Sequence, residues 1–277
     1  MKVLISVDME GISGLVHSSQ ASPGARDYEW ARTMMALDAN AAVEGALEGG
    51  ASEIVVADAH DGMRNLRLNE LHPDASLISG GGRPLSMLHG LDSTFSAVLM
   101  VGYHTRCGTP QGIMNHAYIS RGLFQVFLNG APAGEQAIFG MLAGSMGVPI
   151  ALVSGDEAAC KEAASTFEGV STVAVKKGIS RFAAHCLPQA EAHRLLREGA
   201  CKAMQNLDRA CPLRPLAETT IEVEFAASQC ADAAARVPGS RRVDERKVGF
   251  SGPDYLDCFQ RLRLMFDLAA NAVDDDY

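Results

Sequence analysis

No apolar stretch in this chain approaches the roughly 18–20 residues that a membrane-spanning helix requires. The first run is interrupted at Asp8, far short of the apolar core of a signal peptide. A cytoplasmic protein without a membrane partner is therefore expected. Basic residues are in deficit, with 24 Lys and Arg against 33 Asp and Glu and a formal net charge of −9. Nucleic acid is not an expected partner, because phosphate binding needs clustered cations. A short basic run such as Arg241-Arg242 with Arg246-Lys247 is broken by Asp244 and Glu245 and reads as a solvated loop. The 7 cysteines are odd in number, scattered, and contain no C-x-x-C pair, which argues against a disulfide framework or a Cys-based zinc knuckle and suits reduced thiols. Nucleotide signatures are missing too. No G-x-G-x-x-G follows the first apolar run, and Gly80-Gly81-Gly82 lacks the lysine and spacing of a phosphate loop, so it reads as a plain turn.

What is present is an ordinary globular composition, 47% hydrophobic and 21% charged over 277 residues, enough for one large domain or one large and one small. Short apolar runs alternate with helical patterns through the first two thirds: strands at 2–7, 53–57, 97–101, 123–128 and 149–153, and helices at 26–48, 133–146 and 156–166. Asn129-Gly130 marks a hairpin turn. The pattern predicts an α/β fold, three-layer α/β/α with a mostly parallel sheet, over residues 1–178. Beyond Lys177 the character changes. A helix at 189–206, a prolyl linker at Pro212 and Pro215, and a one-faced strand at 219–225 follow. A possible partner strand at 247–251 and a last helix at 253–270 complete a second, smaller α+β region over 179–277. The final residues, 274–277, are expected to fray.

The chemistry gathers where apolar strands end. The run Lys-Val-Leu-Ile-Ser-Val leads into Asp8-Met9-Glu10, Glu-Ile-Val-Val-Ala into Asp58-Ala59-His60, and Ala-Val-Leu-Met-Val through Gly102-Tyr103 into His104. In open α/β sheets ligands bind outside the carboxyl ends of the strands. If these strands are parallel, two carboxylates and two imidazoles meet on one sheet edge, a donor set suited to Zn²⁺ or a similar divalent ion. A plainer reading stands beside this one: a strand-terminal Asp often caps a helix or turn, and a lone His is more often a satisfied polar residue than a ligand. The residue pattern alone leaves both open.

The string Ser6-Val7-Asp8-Met9-Glu10-Gly11-Ile12-Ser13-Gly14 is highly specific. Together with Asp58-Ala59-His60, Leu71-His72-Pro73, Gly102-Tyr103-His104 and Gly134-Glu135, it resembles the D-aminopeptidase family of zinc peptidases, also known as dipeptide-transport proteins of the DppA type. The likeness extends to Val153-Ser154-Gly155-Asp156 and Ala174-Val175-Lys176 and weakens over the last hundred residues. It implies two Zn²⁺ ions per subunit, with Asp8 bridging, Glu10 and His60 completing one ligand set, and His104 and Glu135 the other. Three carboxylates and two neutral imidazoles would leave about one positive charge on such a pair of dications. Without the resemblance, Glu135 would be read as a first-turn carboxylate facing a helix dipole. His116, in Gly112-Ile113-Met114-Asn115-His116, matches the family's catalytic residue. With two metals at hand, a water of lowered pKa is the better attacking group, which leaves His116 as general acid or base, or as an oxyanion donor. Asn115 is a candidate oxyanion donor, and Asp58 a candidate to orient an imidazole or to cap the following turn.

The activity implied is removal of the N-terminal residue, a D-amino acid by resemblance only, from short peptides by a closed homo-oligomer that could be a ring. Two alternatives stand: a non-catalytic peptide-binding protein linked to dipeptide transport, or a metal-dependent amidase or esterase of other specificity. His17, His72, His89, His185 and His193 carry no stated role, and Cys107 reads as a packing residue.

Overall fold

The computed structural model describes residues 1–273. In chain order its first half runs β1 (Lys2–Val7), α1 (Ser18–Ala21), α2 (Tyr28–Glu48), β2 (Glu53–Asp58), β3 (Ala75–Ile78), β4 (Ala97–Tyr103), β5 (Leu123–Leu128), β6 (Ala131–Ala133) and α3 (Glu135–Ser145). The remainder is β7 (Ile150–Asp156), α4 (Glu157–Thr166), β8 (Ser171–Ser180), β9 (Ala183–Cys186), α5 (Gln189–Gln205), β10 (Thr219–Phe225), α6 (Ser228–Ala234), β11 (Arg241–Arg242), β12 (Lys247–Gly252) and α7 (Tyr255–Ala270).

Seven strands form one sheet in the order β3-β2-β1-β4-β7-β8-β9, parallel except for the last pair. Every residue of β4 and β7 is buried, as continuous apolar strands must be when helices cover both faces of a parallel sheet. One face carries α2 and α5, the other α3 and α4. The three-layer α/β/α expectation and the mostly parallel sheet are what the chain forms. At the crossing of α2 and α5, Gly45 lets the helices approach: a Cβ there would lie 2.0 Å from the carbonyl oxygen of Arg197. Among the described residues no helix is long and apolar enough to cross a membrane.

The second sheet has five strands, β11-β12-β10-β5-β6, all antiparallel. In β10 buried and half-buried residues alternate strictly, because one face packs inward and the other does not. Asn129 and Gly130 turn β5 into β6 with positive φ, the hairpin expected from that dipeptide. The inner face of this sheet shares one hydrophobic core with the back of the large sheet, through residues such as Phe139, Val126, Ile221 and Phe259.

The chain crosses the expected 178/179 division in both directions. The hairpin β5–β6, at 123–133, belongs to the small sheet, whereas β9 and α5 stay with the large one. Sheet membership is settled by which edges pair, and the pairing of β5 with β10, about a hundred residues apart, leaves no mark in either local pattern. The stretch 274–277 lies outside the described residues.

Candidate metal centre

β1 lies between β2 and β4, so the strand order reverses direction around it, the switch point where ligands bind in open α/β sheets. Val7 is in register with Asp58 on one side and Val101 on the other, which brings the segments after all three strands to one edge. Gly102 makes the approach possible. It adopts φ +72°, and a Cβ there would sit 2.3 Å from the carbonyl oxygen of Asp8. The fourth contribution comes from the small sheet: β6 delivers Gly134 as N-cap and Glu135 as the first residue of α3.

All five residues anticipated as ligands meet here and are buried: Asp8, Glu10, His60, His104 and Glu135. His60 Nδ1 is 3.0 Å from Glu10 Oε2 and 3.4 Å from Asp8 Oδ1. On the other side, His104 Nε2 is 3.6 Å from Asp8 Oδ2 and 3.5 Å from Glu135 Oε1. The two oxygens of Asp8 thus face opposite imidazoles. His116 joins them, its Nε2 3.9 Å from Glu135 and 4.0 Å from Glu10, its ring stacked on that of His104 with centroids 4.1 Å apart.

Each imidazole has one nitrogen engaged by a backbone carbonyl and the other turned to the carboxylates. His60 Nε2 lies 2.8 Å from the oxygen of Ala21, His104 Nδ1 2.8 Å from that of Thr105, and His116 Nδ1 2.8 Å from that of Met114. A carbonyl can only accept, so the engaged nitrogen carries a proton and the inward nitrogen is the one left to bind a metal once it gives up any proton of its own, the arrangement of metal-ligating histidines. Asp8 Oδ2 and His104 Nε2 have no hydrogen-bond partner although both are buried. Uncompensated buried polar atoms are costly, and a cation between them would satisfy both. The donor chemistry and these two orphaned atoms fit zinc.

The electrostatics show the same demand for positive charge. Burial pushes the Asp8 carboxyl up to about 8, and the neighbouring Glu10 charge adds to it. Burial works against ionisation of Glu10 and Glu135 also, yet the adjoining imidazoles, His60 for the first and His104 for the second, bring both below the usual range. Burial would lower His60 and His104, but the carboxylates outweigh it and hold both well above an ordinary histidine. His116 differs: burial, then the His104 charge, lowers it, so a neutral ring is favoured.

Supporting residues give the expected candidates more definite roles. Asp58 does not touch an imidazole ring. Its carboxylate accepts from the backbone N–H groups of Asn65 and Leu66, at 2.5 and 2.7 Å, and so shapes the loop after His60. Asn115 is not a free oxyanion donor, since its amide donates to the carbonyls of Thr109 and Gly112 and accepts from Gly108 N–H. Asp156 caps α4 through Ala159 N–H at 2.7 Å and with its second oxygen accepts from Ile113 N–H at 2.6 Å, anchoring the loop that carries His116. Tyr118 carries no signal in the sequence. Its backbone N–H donates to Glu135 Oε1 at 2.8 Å, and no local pattern announces that role.

These groups open into a cavity of about 470 Å³. Asp61, Met63, Met114 and Tyr118 line it and all have positive φ, a concentration of left-handed non-glycine residues of the kind that marks functional sites. Arg181 and Phe182, at the β8–β9 turn, form part of its wall.

An α/β/α sandwich whose strand ends bring two carboxylates and two imidazoles together, joined in one cavity by Glu135 from a helix start and His116 from a loop, has the architecture of a metallohydrolase. The comparisons narrow this. The profile of the M55 peptidases, described as D-aminopeptidase, matches residues 1–264. A D-aminopeptidase of Bacillus subtilis (strain 168) is 41% identical over 270 residues, covering 97% of this chain and 98% of the relative. A solved structure described as the Zn-dependent D-aminopeptidase DppA from Bacillus subtilis, a self-compartmentalizing protease, superimposes with a TM-score of 0.94 at 41% identity, over 97% of this chain and 98% of the other. The chain belongs to the D-aminopeptidase family, and it is a peptide-bond hydrolase of the aminopeptidase class.

Proposed function

We propose that this protein removes the N-terminal residue, a D-amino acid, from short peptides at a centre of two zinc ions. Asp8 would hold both ions, Glu10 and His60 would complete one ligand set, and His104 and Glu135 the other. The observation that carries this reading is the disposition of Asp8, whose Oδ1 and Oδ2 face His60 and His104 at 3.4 and 3.6 Å while each ring is tied from behind to a carbonyl. The relative of solved structure is described as zinc-dependent, which supports the identity of the metal.

When bound, zinc supplies a water of lowered pKa and polarises the scissile carbonyl. The chain's own residues do the rest. The buried carboxylates of Asp8, Glu10 and Glu135 keep the net charge of the loaded site low, and the cavity leaves room for a peptide bond beside them. His116 is the proton carrier. Its Nδ1 proton is committed to Met114, its Nε2 is open toward Glu10 and Glu135, and its lowered pKa leaves that nitrogen free to accept a proton and return it to the departing amine. We further propose assembly into a homo-oligomer enclosing the sites, in keeping with the description of the relative as self-compartmentalizing.

The test is metal analysis of the purified protein together with hydrolysis of D-alanyl and L-alanyl dipeptides. About two equivalents of zinc, turnover of the D-peptide, and loss of that turnover to chelator are expected. Tight peptide binding with neither metal nor turnover would establish the binding-protein alternative instead, and turnover confined to esters or other amides would redirect the specificity.

A further inference from the structure

Among the buried polar residues, Lys176 has no place in the chemistry above, although it closes one of the stretches that carry the family resemblance. It lies on β8, opposite Asp156 of β7, and is 1% exposed. Its Nζ donates three hydrogen bonds, to the carbonyl oxygens of Glu10 at 2.7 Å, Ile12 at 2.8 Å and Leu15 at 2.5 Å. An ammonium has three protons, and all are used on one loop. The partners are neutral carbonyls rather than a carboxylate, so this is not an ion pair formed for its own sake. Burying an ammonium costs several kcal/mol in desolvation, roughly. A methionine of similar length would pack here without that cost but would strand three carbonyls.

Those carbonyls belong to the segment between β1 and α1, which forms neither helix nor strand and so has few internal partners for its backbone. The opposite polarity of the same loop is met from the other side. Asp38 Oδ2, on α2, accepts from Ser13 N–H at 2.8 Å and from Ser13 Oγ at 3.1 Å, and Asp38 Oδ1 lies 3.1 Å from His193 Nε2. One buried cation gathers three of the loop's acceptors and one buried anion the two donors of Ser13. Between them they fix residues 10–15, and the first residue so held is Glu10.

We propose that Lys176 is a positioning residue for the metal centre, its ammonium setting the backbone of residues 10–15 and hence the direction in which the Glu10 carboxylate points. The proposal rests on the reading above that Glu10 is a metal ligand. It places the effect first on the side of the centre that Glu10 serves, because all three carbonyls that Lys176 holds lie on the Glu10 loop, and that loop meets the strand leading to His104 through the Gly11 N–H to Gly102 carbonyl bond.

The experiment is Lys176→Met in the full-length protein, with zinc affinities measured by competition against a chromophoric chelator. One of the two zinc affinities should fall roughly ten- to hundredfold, as for other residues that orient ligands without touching the metal, while the other stays within about twofold. Tyr255→Phe serves as control. It removes a buried hydrogen bond to the Ile138 carbonyl in the other core, so it should lower Tm and leave both zinc affinities unchanged. If Lys176→Met does not fold, Lys176→Gln, which keeps an N–H donor without the charge, is measured instead. Either folded variant with both affinities within about twofold of the parent overturns the proposal, as does failure of both variants to fold, which would make Lys176 a purely structural residue. A parent protein that binds no zinc defeats the two-zinc reading itself, whereas a zinc-binding parent with an indifferent variant defeats only the role of Lys176.

Discussion

His116 and His104 stack ring on ring, yet their surroundings ask different things of them. His104 faces two carboxylates at close range and is held well above the ordinary histidine range, whereas burial and the charge of His104 lower His116. If His116 carries protons without holding metal, as proposed, it can be removed while the metals stay. His116→Ala should therefore lower kcat by about 10²–10⁴-fold with zinc content unchanged, checked by steady-state kinetics beside metal analysis. A matching loss of zinc would show that His116 is a ligand. The raised imidazoles carry a second consequence. His60 and His104 bind protons at neutral pH wherever no metal occupies the site, and zinc must displace them. Zinc uptake should thus release protons, and apparent affinity should rise with pH through neutrality. Calorimetry in buffers of different ionisation enthalpy measures the proton count, and a pH-independent affinity would contradict it.

At the scale of elements, strands bring the proposed ligands near and loops aim them. The loop from 109 to 116 has little regular structure, and Asp156 holds it from the start of α4 while also capping that helix. Asp156→Ala removes both bonds. A stability loss of about 1–3 kcal/mol is expected, from the lost cap and an unpartnered Ile113 N–H, measured by denaturant unfolding. Because the same bond anchors the loop of His116, kcat should fall as well, with KM less affected. Normal kcat in a destabilised variant would mean that the loop finds its position without Asp156.

The molecule as a whole closes its site with groups from two sheets. Asp8, Glu10, His60 and His104 come from the large sheet's edge, Glu135 from the helix that the small sheet's hairpin delivers. Ions held by all of them would tie these parts together. Tm should rise with free zinc, by about 2.7 kcal/mol of added stability per site at a hundred times the dissociation constant, and fall on chelation. Scanning calorimetry over a zinc series reads this directly, and a Tm indifferent to zinc would mean that the centre does not bridge the two parts.

Much of this was legible along the chain, for identifiable reasons. Continuous apolar runs such as β4 and β7 are visible because a strand buried on both faces tolerates nothing else, and β10 because a one-faced strand must alternate. Asp8, Glu10, His60 and His104 stood out because each follows such a run within a few residues, so sequence position alone set their place on the sheet edge. Glu135 and His116 needed a likeness to relatives, since neither follows a strand of that sheet. What only tertiary structure decided is of another kind: the pairing of β5 with β10, the hold of Lys176 on the Glu10 loop, the tether of Ile113 to Asp156, and the carbonyls that fix each imidazole. Hydrophobic periodicity records which way a residue faces, and it is local. Hydrogen bonds between distant segments depend on where the folded chain puts single polar atoms, and no period in the sequence encodes that.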